Sequence, residues 1–322
     1  MPTILVTGGA GYIGSQTAKA LAQAGFTPVV LDNLSAGSAD VVRWGPLVVG
    51  AVNDSALLRK VMDEHRTVGV VHFAASTSVG ESMTAPRKYF QNNLVSTLTL
   101  LDAMVDSGVR HIVFSSTAAV YGNPQHVPIQ EDHPKAPINP YGEGKLFVER
   151  ALHWYAQAYG LTYTALRYFN AAGADPDGET GERHDPETHL VPLVVQTALG
   201  KRPVLDVLGT DYPTRDGTAI RDYVHTADLA DAHRLALQRL LGGGASDVFN
   251  LGTGNGYTVR EVIAAVEKVS GRTVPVRDAP RRAGDPPSLV ADPRRAIHTL
   301  DWHPRHSDLE TIVRTAWLWH SR

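Results

Sequence analysis

The sequence predicts an α/β fold, a doubly wound parallel sheet accompanied by a second, smaller α/β domain. Three features carry that expectation. Short apolar runs alternate with amphipathic stretches through the first half, a glycine-rich turn joins the first run to the first helical stretch, and an aspartate ends the second run. Residues 4–7, 28–31, 68–74, 110–115 and 162–169 read as strands, and 15–24, 94–105 and 141–159 as helices. Strands alternating with helices of this length imply right-handed crossovers and a sheet covered on both faces. After Ala171 the rhythm changes, and 173–187 is rich in Gly, Pro, Asp and Glu, as in a loop or domain boundary. The expected division is therefore 1–172 and 173–322. The second part carries helical patterns at 228–240 and 258–270 and a proline-rich connection at 279–287. Its chain is expected to cross back to the first domain around 221–241.

The 322 residues suit about two domains at ~150 residues each. An apolar fraction of 43% supplies a core, and a net charge of −3 points to neither nucleic acid nor an anionic membrane. The absence of cysteine excludes disulfides, thiolate metal sites and thiol catalysis. No apolar run approaches the roughly 20 residues that span a bilayer. The chain enters a strand pattern at Thr3 with no signal-like segment before it, so a cytoplasmic protein is expected.

Gly8, Gly11 and Gly14 follow the first strand and open the first helix. Glycine permits a tight turn and lets backbone N–H groups approach a pyrophosphate at the positive helix end. Asp32 ends the second strand, where a carboxylate accepts both adenosine-ribose hydroxyls and repels a 2′-phosphate; NAD is therefore expected over NADP.

Asn139 suits an N-cap and Pro140 the first helical position, so Tyr141 and Lys145 share one helix face. A tyrosine of ordinary pKa, about 10, needs a shift of roughly three units, or ~4 kcal/mol, to be anionic near pH 7. A lysine ammonium and a cationic nicotinamide are expected to supply much of it. Upstream, 114–122 closes a strand at the sheet end where ligands bind, and Ser116 or Thr117 can present a hydroxyl there.

Together these residues resemble the extended short-chain dehydrogenase/reductase family, and within it the UDP-glucose (UDP-galactose) 4-epimerases. The likeness runs almost end to end, through 72–75, 79–82, Asn92-Asn93, 115–122, 166–170, 211–218, 221–225 and 279–285. It implies a Rossmann-like fold, bound NAD and a UDP-sugar substrate, with C4 of a UDP-hexose inverted through a 4-keto intermediate. Tyr141 is then the base, Lys145 its electrostatic partner and ribose ligand, and Thr117 the hydroxyl at the reacting carbon. The implied cofactor contacts are Gly8, Gly11, Tyr12, Ile13, Gly14, Asp32, Asn33, Leu34, Ser35, Gly37, Ala51, Val52, Phe73, Ala74, Ala75, Thr77, Asn92, Ser115, Tyr141, Lys145, Tyr168 and Phe169. The implied substrate contacts are Thr117, Tyr141, Asn170, His189, Leu190, Leu208, Arg221, Arg282, Asp285 and Leu289. The two arginines suit a diphosphate, because guanidinium forks match its oxygens.

Several positions depart from the family pattern. Ala51 stands where many relatives have an aspartate for the adenine amino group, and Thr77 replaces a lysine near the nicotinamide ribose. Gly144 replaces Ser or Thr, His189 an asparagine, and Leu208 an aromatic that stacks on uracil. Leu289 lies where side-chain size gates N-acetylated sugars. Other UDP-sugars therefore stay open as substrates, as do a 4,6-dehydratase and a silent NAD-sensing module. Ala118 and Ala119 oppose the dehydratase because they cannot move protons, and the Tyr141/Lys145 pair opposes the silent module. His184 and His189 are expected as solvated loop residues rather than metal ligands. Relatives dimerise through a four-helix bundle, and the apolar stripe Phe147, Ala151, Trp154 and Ala158 leads to the same expectation of a homodimer here.

Overall fold

The computed structural model describes residues 1–322 apart from Ala283, whose place in the 279–285 motif lies outside the described residues. Its principal sheet contains β1 (Thr3–Thr7), β2 (Thr27–Asp32), β3 (Leu47–Val49), β4 (Thr67–His72), β5 (His111–Thr117) and β6 (Thr162–Tyr168). The strand Asp247–Leu251 pairs with β6 and completes the order Asp247–Leu251, β6, β5, β4, β1, β2, β3, with every pairing parallel. The chain thus leaves this sheet after β6, at Tyr168, and returns to it at Asp247 through the helix Thr226–Leu241.

Both faces of the sheet are covered, so its strands are apolar at successive positions rather than alternating with polar ones. Ile4, Val6, Val30, Val71, Val113, Leu166 and Phe249 form one buried cluster with Leu21 of the helix Tyr12–Gln23 and Leu229, Leu237 and Leu240 of Thr226–Leu241. Leu5, Val29, Leu31, Val70, Ile112, Phe114 and Ala165 point the other way, onto Leu58, Leu100, Met104, Val148 and Leu152. A third cluster lies beyond the sheet, where Leu190–Ala198, Val259–Ser270 and Leu309–His320 pack through Val194, Val195, Val262, Val266, Ile312 and Val313. There Ile220–His225 is flanked by Gly256–Thr258 and Ser288–Leu289, and it also pairs with Asn170–Ala172.

The elements expected at 15–24 and 110–115 are longer in the structure. The first helix begins at Tyr12, because an extended glycine, Gly11, can precede it without a side-chain cap. β5 continues to Thr117, so the serine and threonine pair belongs to the strand itself. The helix expected at 94–105 is entered through a wider, π-type turn at Phe90–Val95, and its regular part is Ser96–Asp106. The hydroxyls of Ser96 and Thr97 bond back to the carbonyls of Gln91 and Asn93, a local competition of the kind that bends helices.

The register brings the functional ends together. Thr7 stands beside Leu31 and His72, His72 beside Phe114, and Thr117 beside Tyr168. β1 has β2 on one side and β4 on the other, so the turn after β1 sits where the strand order reverses, the usual ligand crevice of such sheets.

Because Phe249 is fully buried in the sheet core, Phe249→Ala is expected to cost ~3–5 kcal/mol in urea unfolding. A loss of under about 1 kcal/mol would mean that the returning strand is an accessory edge rather than part of the core.

Candidate active site

At the turn after β1, Gly8 has φ +72° and donates its N–H to the Leu31 carbonyl at 2.9 Å. A Cβ at Gly8 would lie 2.5 Å from the Ala74 nitrogen, and one at Gly14 would lie 2.3 Å from the Gly8 carbonyl oxygen. These two positions therefore require glycine on packing grounds alone. With no side chain capping the helix Tyr12–Gln23, its first N–H groups are left for an external acceptor. Asp32 lies beside them, its carboxylate accepting from the Ala10 nitrogen at 3.0 Å and the Leu34 nitrogen at 2.8 Å. One bond per oxygen leaves lone pairs for a ribose diol. Asn33 accepts from the Ser35 nitrogen and hydroxyl, and the following turn folds back so that the Ser38 nitrogen donates to the Ala10 carbonyl at 3.0 Å. Gly37 passes so near that a Cβ there would lie 2.7 Å from the Ala10 carbonyl oxygen. The cradle fits a dinucleotide: donors at a helix end, a buried carboxylate, and no space for added side chains.

Three residues expected on the cofactor side also make contacts within the protein. The Tyr12 hydroxyl donates to the Gly173 carbonyl at 2.5 Å, so this ring ties the glycine helix to the next segment. Ile13 packs against the sheet core, and Val52 is buried in the cluster on the opposite face. Both can face a ligand only through the backbone.

Across the crevice, Phe73 and Ala74 donate their N–H groups to the Thr7 carbonyl, and the chain continues through Ala75 and Thr77. Asn93 holds this loop. Its amide accepts from the Ser76 nitrogen and donates to the Ser76 carbonyl, both at 2.8 Å, while Asn92 reaches the Ser76 hydroxyl at 3.2 Å. The sequence reading singled out Asn92 and missed its buried neighbour. His233 was missed as well. Its Nδ1 faces the Leu229 carbonyl at 2.8 Å, so Nε2 is left to accept from the Ser115 hydroxyl at 3.2 Å. Burial pushes His233 down to about 4, consistent with that neutral tautomer. His233 lies 118 residues from Ser115 in sequence, so no spacing signal could have joined it to this strand end.

Asn139 caps the long helix Pro140–Tyr159, accepting from the Gly142 nitrogen at 2.8 Å. Tyr141 therefore enters the site at the first turn, buried, near the Thr117 hydroxyl and edge-on to Tyr89. Thr117 also accepts from the Ala119 nitrogen at 3.1 Å. The Ser116 hydroxyl is committed elsewhere, to Glu149 at 2.5 Å, which leaves Thr117 as the hydroxyl presented beside the tyrosine. Lys145 donates to the Ser115 carbonyl at 2.8 Å, with its Nζ 6.0 Å from the Tyr141 ring centre.

In the protein alone, burial dominates the electrostatics of this pair. Burial, with a smaller contribution from Tyr168, holds the Tyr141 phenol well above its ordinary range, and the nearby Thr117 hydroxyl only partly opposes it. Burial likewise pulls the Lys145 amine down to about 7, with Glu149 opposing. Desolvation thus outweighs the ammonium's pull on the phenol. The tyrosine holds its proton and the lysine titrates near neutrality.

On the far side of the crevice, Arg221 and Leu289 stand side by side in paired strands, near Asn170 at the start of Asn170–Ala172. Arg221 donates to the Ile220 carbonyl at 2.8 Å and the Pro286 carbonyl at 2.9 Å, and lies 3.5 Å from Asp285. Arg282 forks onto the same carboxylate with two bonds of 2.9 Å. Leu208, itself exposed, ends the strand Leu205–Leu208, whose Leu205 and Val207 are buried. Leu190 opens the helix Leu190–Ala198. His189 precedes it with its ring against the Glu182 carboxylate. His184 pairs with Glu182 too, at 3.0 Å; its ring is half-buried, whereas His189 is exposed, as expected for a loop histidine.

A profile described as the NAD dependent epimerase/dehydratase family matches residues 4–252. The chain belongs to this family. It is 51% identical to the UDP-glucose 4-epimerase of Lacticaseibacillus casei over 99% of this chain and 96% of that one. Its fold matches the crystal structure of UDP-glucose 4-epimerase from Brucella ovis in complex with NAD, with a TM-score of 0.97 and 52% identity over 99% of this chain and 98% of that one. It also matches the enzyme from Stenotrophomonas maltophila with bound NAD and formylated UDP-arabinopyranose, at TM-score 0.97 and 42% identity over 100% of this chain and 98% of that one.

Lys145 carries a testable consequence. Its folded value of about 7 lies below its ordinary 10.5, so between the two the unfolded chain holds a proton that the folded chain has released. Raising the pH through that window stabilises the fold. In urea unfolding of cofactor-free protein, wild type should gain about 1–2 kcal/mol over Lys145→Met between about pH 7 and pH 9. Parallel pH profiles for the two proteins would show that the amine is already charged when folded.

Proposed function

We infer that the protein is an isomerase that inverts C4 of a UDP-hexose, interconverting UDP-glucose and UDP-galactose with NAD as its resident cofactor. The observation that carries this reading is the pairing of Tyr141 with Thr117 at the end of β5, beside the glycine cradle. The full-length likeness to UDP-glucose 4-epimerases supports it.

When bound, NAD takes a hydride from sugar C4 and returns it to the other face of the 4-keto sugar. The remaining work falls to the chain. Asp32 and the first turn of Tyr12–Gln23 hold the adenosine and pyrophosphate, with Gly8, Gly11 and Gly14 allowing the close approach. Thr117 orients the sugar hydroxyl toward Tyr141. The phenol first loses its own proton to solvent, under the pull of Lys145 and the positive charge a bound nicotinamide would bring. The phenolate then takes the sugar proton as the carbonyl forms and gives it back as the carbonyl is reduced on the opposite face. Lys145 stabilises the phenolate during that exchange and holds the cofactor ribose. Arg221 and Arg282 grip the diphosphate, Asn170, the Leu190 backbone and Leu208 the nucleotide, while Leu289 leaves the hexose loosely held. Loose sugar contacts let the keto intermediate turn over between the two half-steps. A 4,6-dehydratase would need proton-transferring side chains after Thr117, and Ala118 and Ala119 supply none.

In this reading residues 1–172 with the returning segment 226–251 form the NAD-binding part, and the rest of 173–322 the UDP-sugar part. The protein works in the cytoplasm as a homodimer. Among the described residues no helix is long and apolar enough to cross a membrane. On Pro140–Tyr159, Phe147 and Trp154 are exposed whereas Val148 and Leu152 are buried, which leaves an apolar stripe for a partner helix in a four-helix bundle.

Tyr141→Phe should lower turnover about 10²–10⁴-fold while NAD binding survives, since only proton transfer is removed. Unchanged turnover would dismiss Tyr141 as the base. UDP-glucose deuterated at C4 should give UDP-galactose that keeps its label, and washout to solvent would refute hydride return. For the dimer, light scattering of Trp154→Glu should read the mass of one chain where wild type reads two. A wild-type monomer would refute the assembly.

A further inference from the structure

We propose that Glu182, His184, Glu187 and His189 form a binding site for one divalent transition-metal ion, with zinc the best chemical fit. One ligand atom from each of the four residues lies within 4.8 Å of the others. Zinc takes imidazole nitrogen and carboxylate oxygen at about 2.0–2.2 Å in tetrahedral sets of four, the ligand types and number gathered here. Two imidazoles with two carboxylates also suit a borderline cation better than calcium or magnesium, which favour all-oxygen shells.

The surroundings have the character of a supporting shell. The Glu182 side chain is almost wholly buried, and its carbonyl accepts from the Trp319 indole at 3.0 Å. The Glu187 carboxylate is oriented by the backbone nitrogens of Thr188 and His189, at 2.7 and 2.9 Å. The His184 and His189 rings meet edge-on, with centres 5.3 Å apart, so their nitrogens converge on one carboxylate. The cluster opens to solvent through a cleft, which supplies an entry path. Cationic side chains at its mouth are engaged elsewhere: Arg183 with Asp40 and Trp319, Arg322 with Trp319 and the Gly178 carbonyl, and Lys201 with the His320 carbonyl.

The ion would be structural. It would pin the 182–189 loop beside Tyr12, whose ring lies edge-on to His184, and beside the start of Leu190–Ala198. It thus links the helix end at the glycine cradle to the helix that opens the UDP side, and takes no part in proton or hydride transfer.

The experiment uses tag-free full-length protein, stripped with chelator and re-equilibrated with zinc chloride. Mass spectrometry of the metal content should find about one zinc per chain, held in His- and carboxylate-based coordination, and His184→Ala/His189→Ala should lose at least about nine-tenths of it. Cobalt(II) in place of zinc should give the visible absorption of a tetrahedral site in wild type. That spectrum decides the matter even if the double variant folds poorly, and the milder Glu182→Gln should weaken it. Wild-type protein that takes up neither metal would overturn the proposal, as would equal uptake by a folded double variant; the cluster would then be a plain histidine–glutamate ion-pair network.

Discussion

Arg167 holds both oxygens of Glu149, and the electrostatic state of the reacting residues depends on that claim. The pair is buried, at 2.5 Å, and Arg167 also donates to the Tyr121 hydroxyl at 2.9 Å and the Glu131 carbonyl at 3.0 Å. Tyr121 in turn donates to Asn250 at 2.6 Å, so the network joins β6, the long helix, the turn after β5 and the returning strand. Lys145 lies one helical turn before Glu149, with the same carboxylate as its stabilising charge. Since Arg167 and Ser116 occupy that carboxylate, the amine receives a backbone carbonyl instead, and desolvation prevails. A lysine that titrates near neutrality is the outcome. Such a group can switch its charge at small free-energy cost when a neighbouring charge appears, which an ordinary ammonium cannot do.

Breaking that network by removing one partner would leave a buried charge uncompensated, a larger penalty than the net stabilisation the pair provides. Its value therefore lies in placement. It fixes the end of β5 against the long helix, so that Thr117 and Tyr141 lie near one another. It also fixes the returning strand through Asn250, so that the chain carrying Arg221 leaves the sheet at a set position. The cradle for the dinucleotide and the grip on the diphosphate are built from segments more than 200 residues apart in sequence, and this buried network is one of the places where they are tied together.

The fold was largely legible because its signals are local. Buried strands announce themselves as apolar runs, glycines at 8, 11 and 14 mark a close backbone approach, and Asn139-Pro140 marks a helix start. The pairing of Asp247–Leu251 with β6 is not local, and the stretch reads from sequence as any short strand. At the site, residue identities were readable but their protonation was not. The i, i+4 spacing of Tyr141 and Lys145 suggests an ammonium pulling on a phenol, whereas the sign of both shifts is set by burial among Phe114, Tyr89 and Thr117, which come from other elements. Likewise His184 and His189 have no helical ligand spacing. Only the folded loop shows that a buried carboxylate, Glu182, draws them together.

The substrate side raises a different energetic question, since Arg221 and Arg282 already share Asp285. Arg282 is well exposed, and a surface pair of this kind contributes only about 0–1 kcal/mol. Exchanging the carboxylate for diphosphate oxygens therefore costs little, and a bidentate guanidinium–phosphate contact more than offsets it. Arg221 is nearly buried, and two backbone carbonyls hold it in place whether or not Asp285 remains its partner. The pairings thus act as a resting position for the arginines rather than as competitors for the ligand. In the proposed reading, with binding energy drawn from the diphosphate, the sugar end needs only Thr117 and Tyr141 as polar contacts. A ring held by few directional bonds is free to present either face.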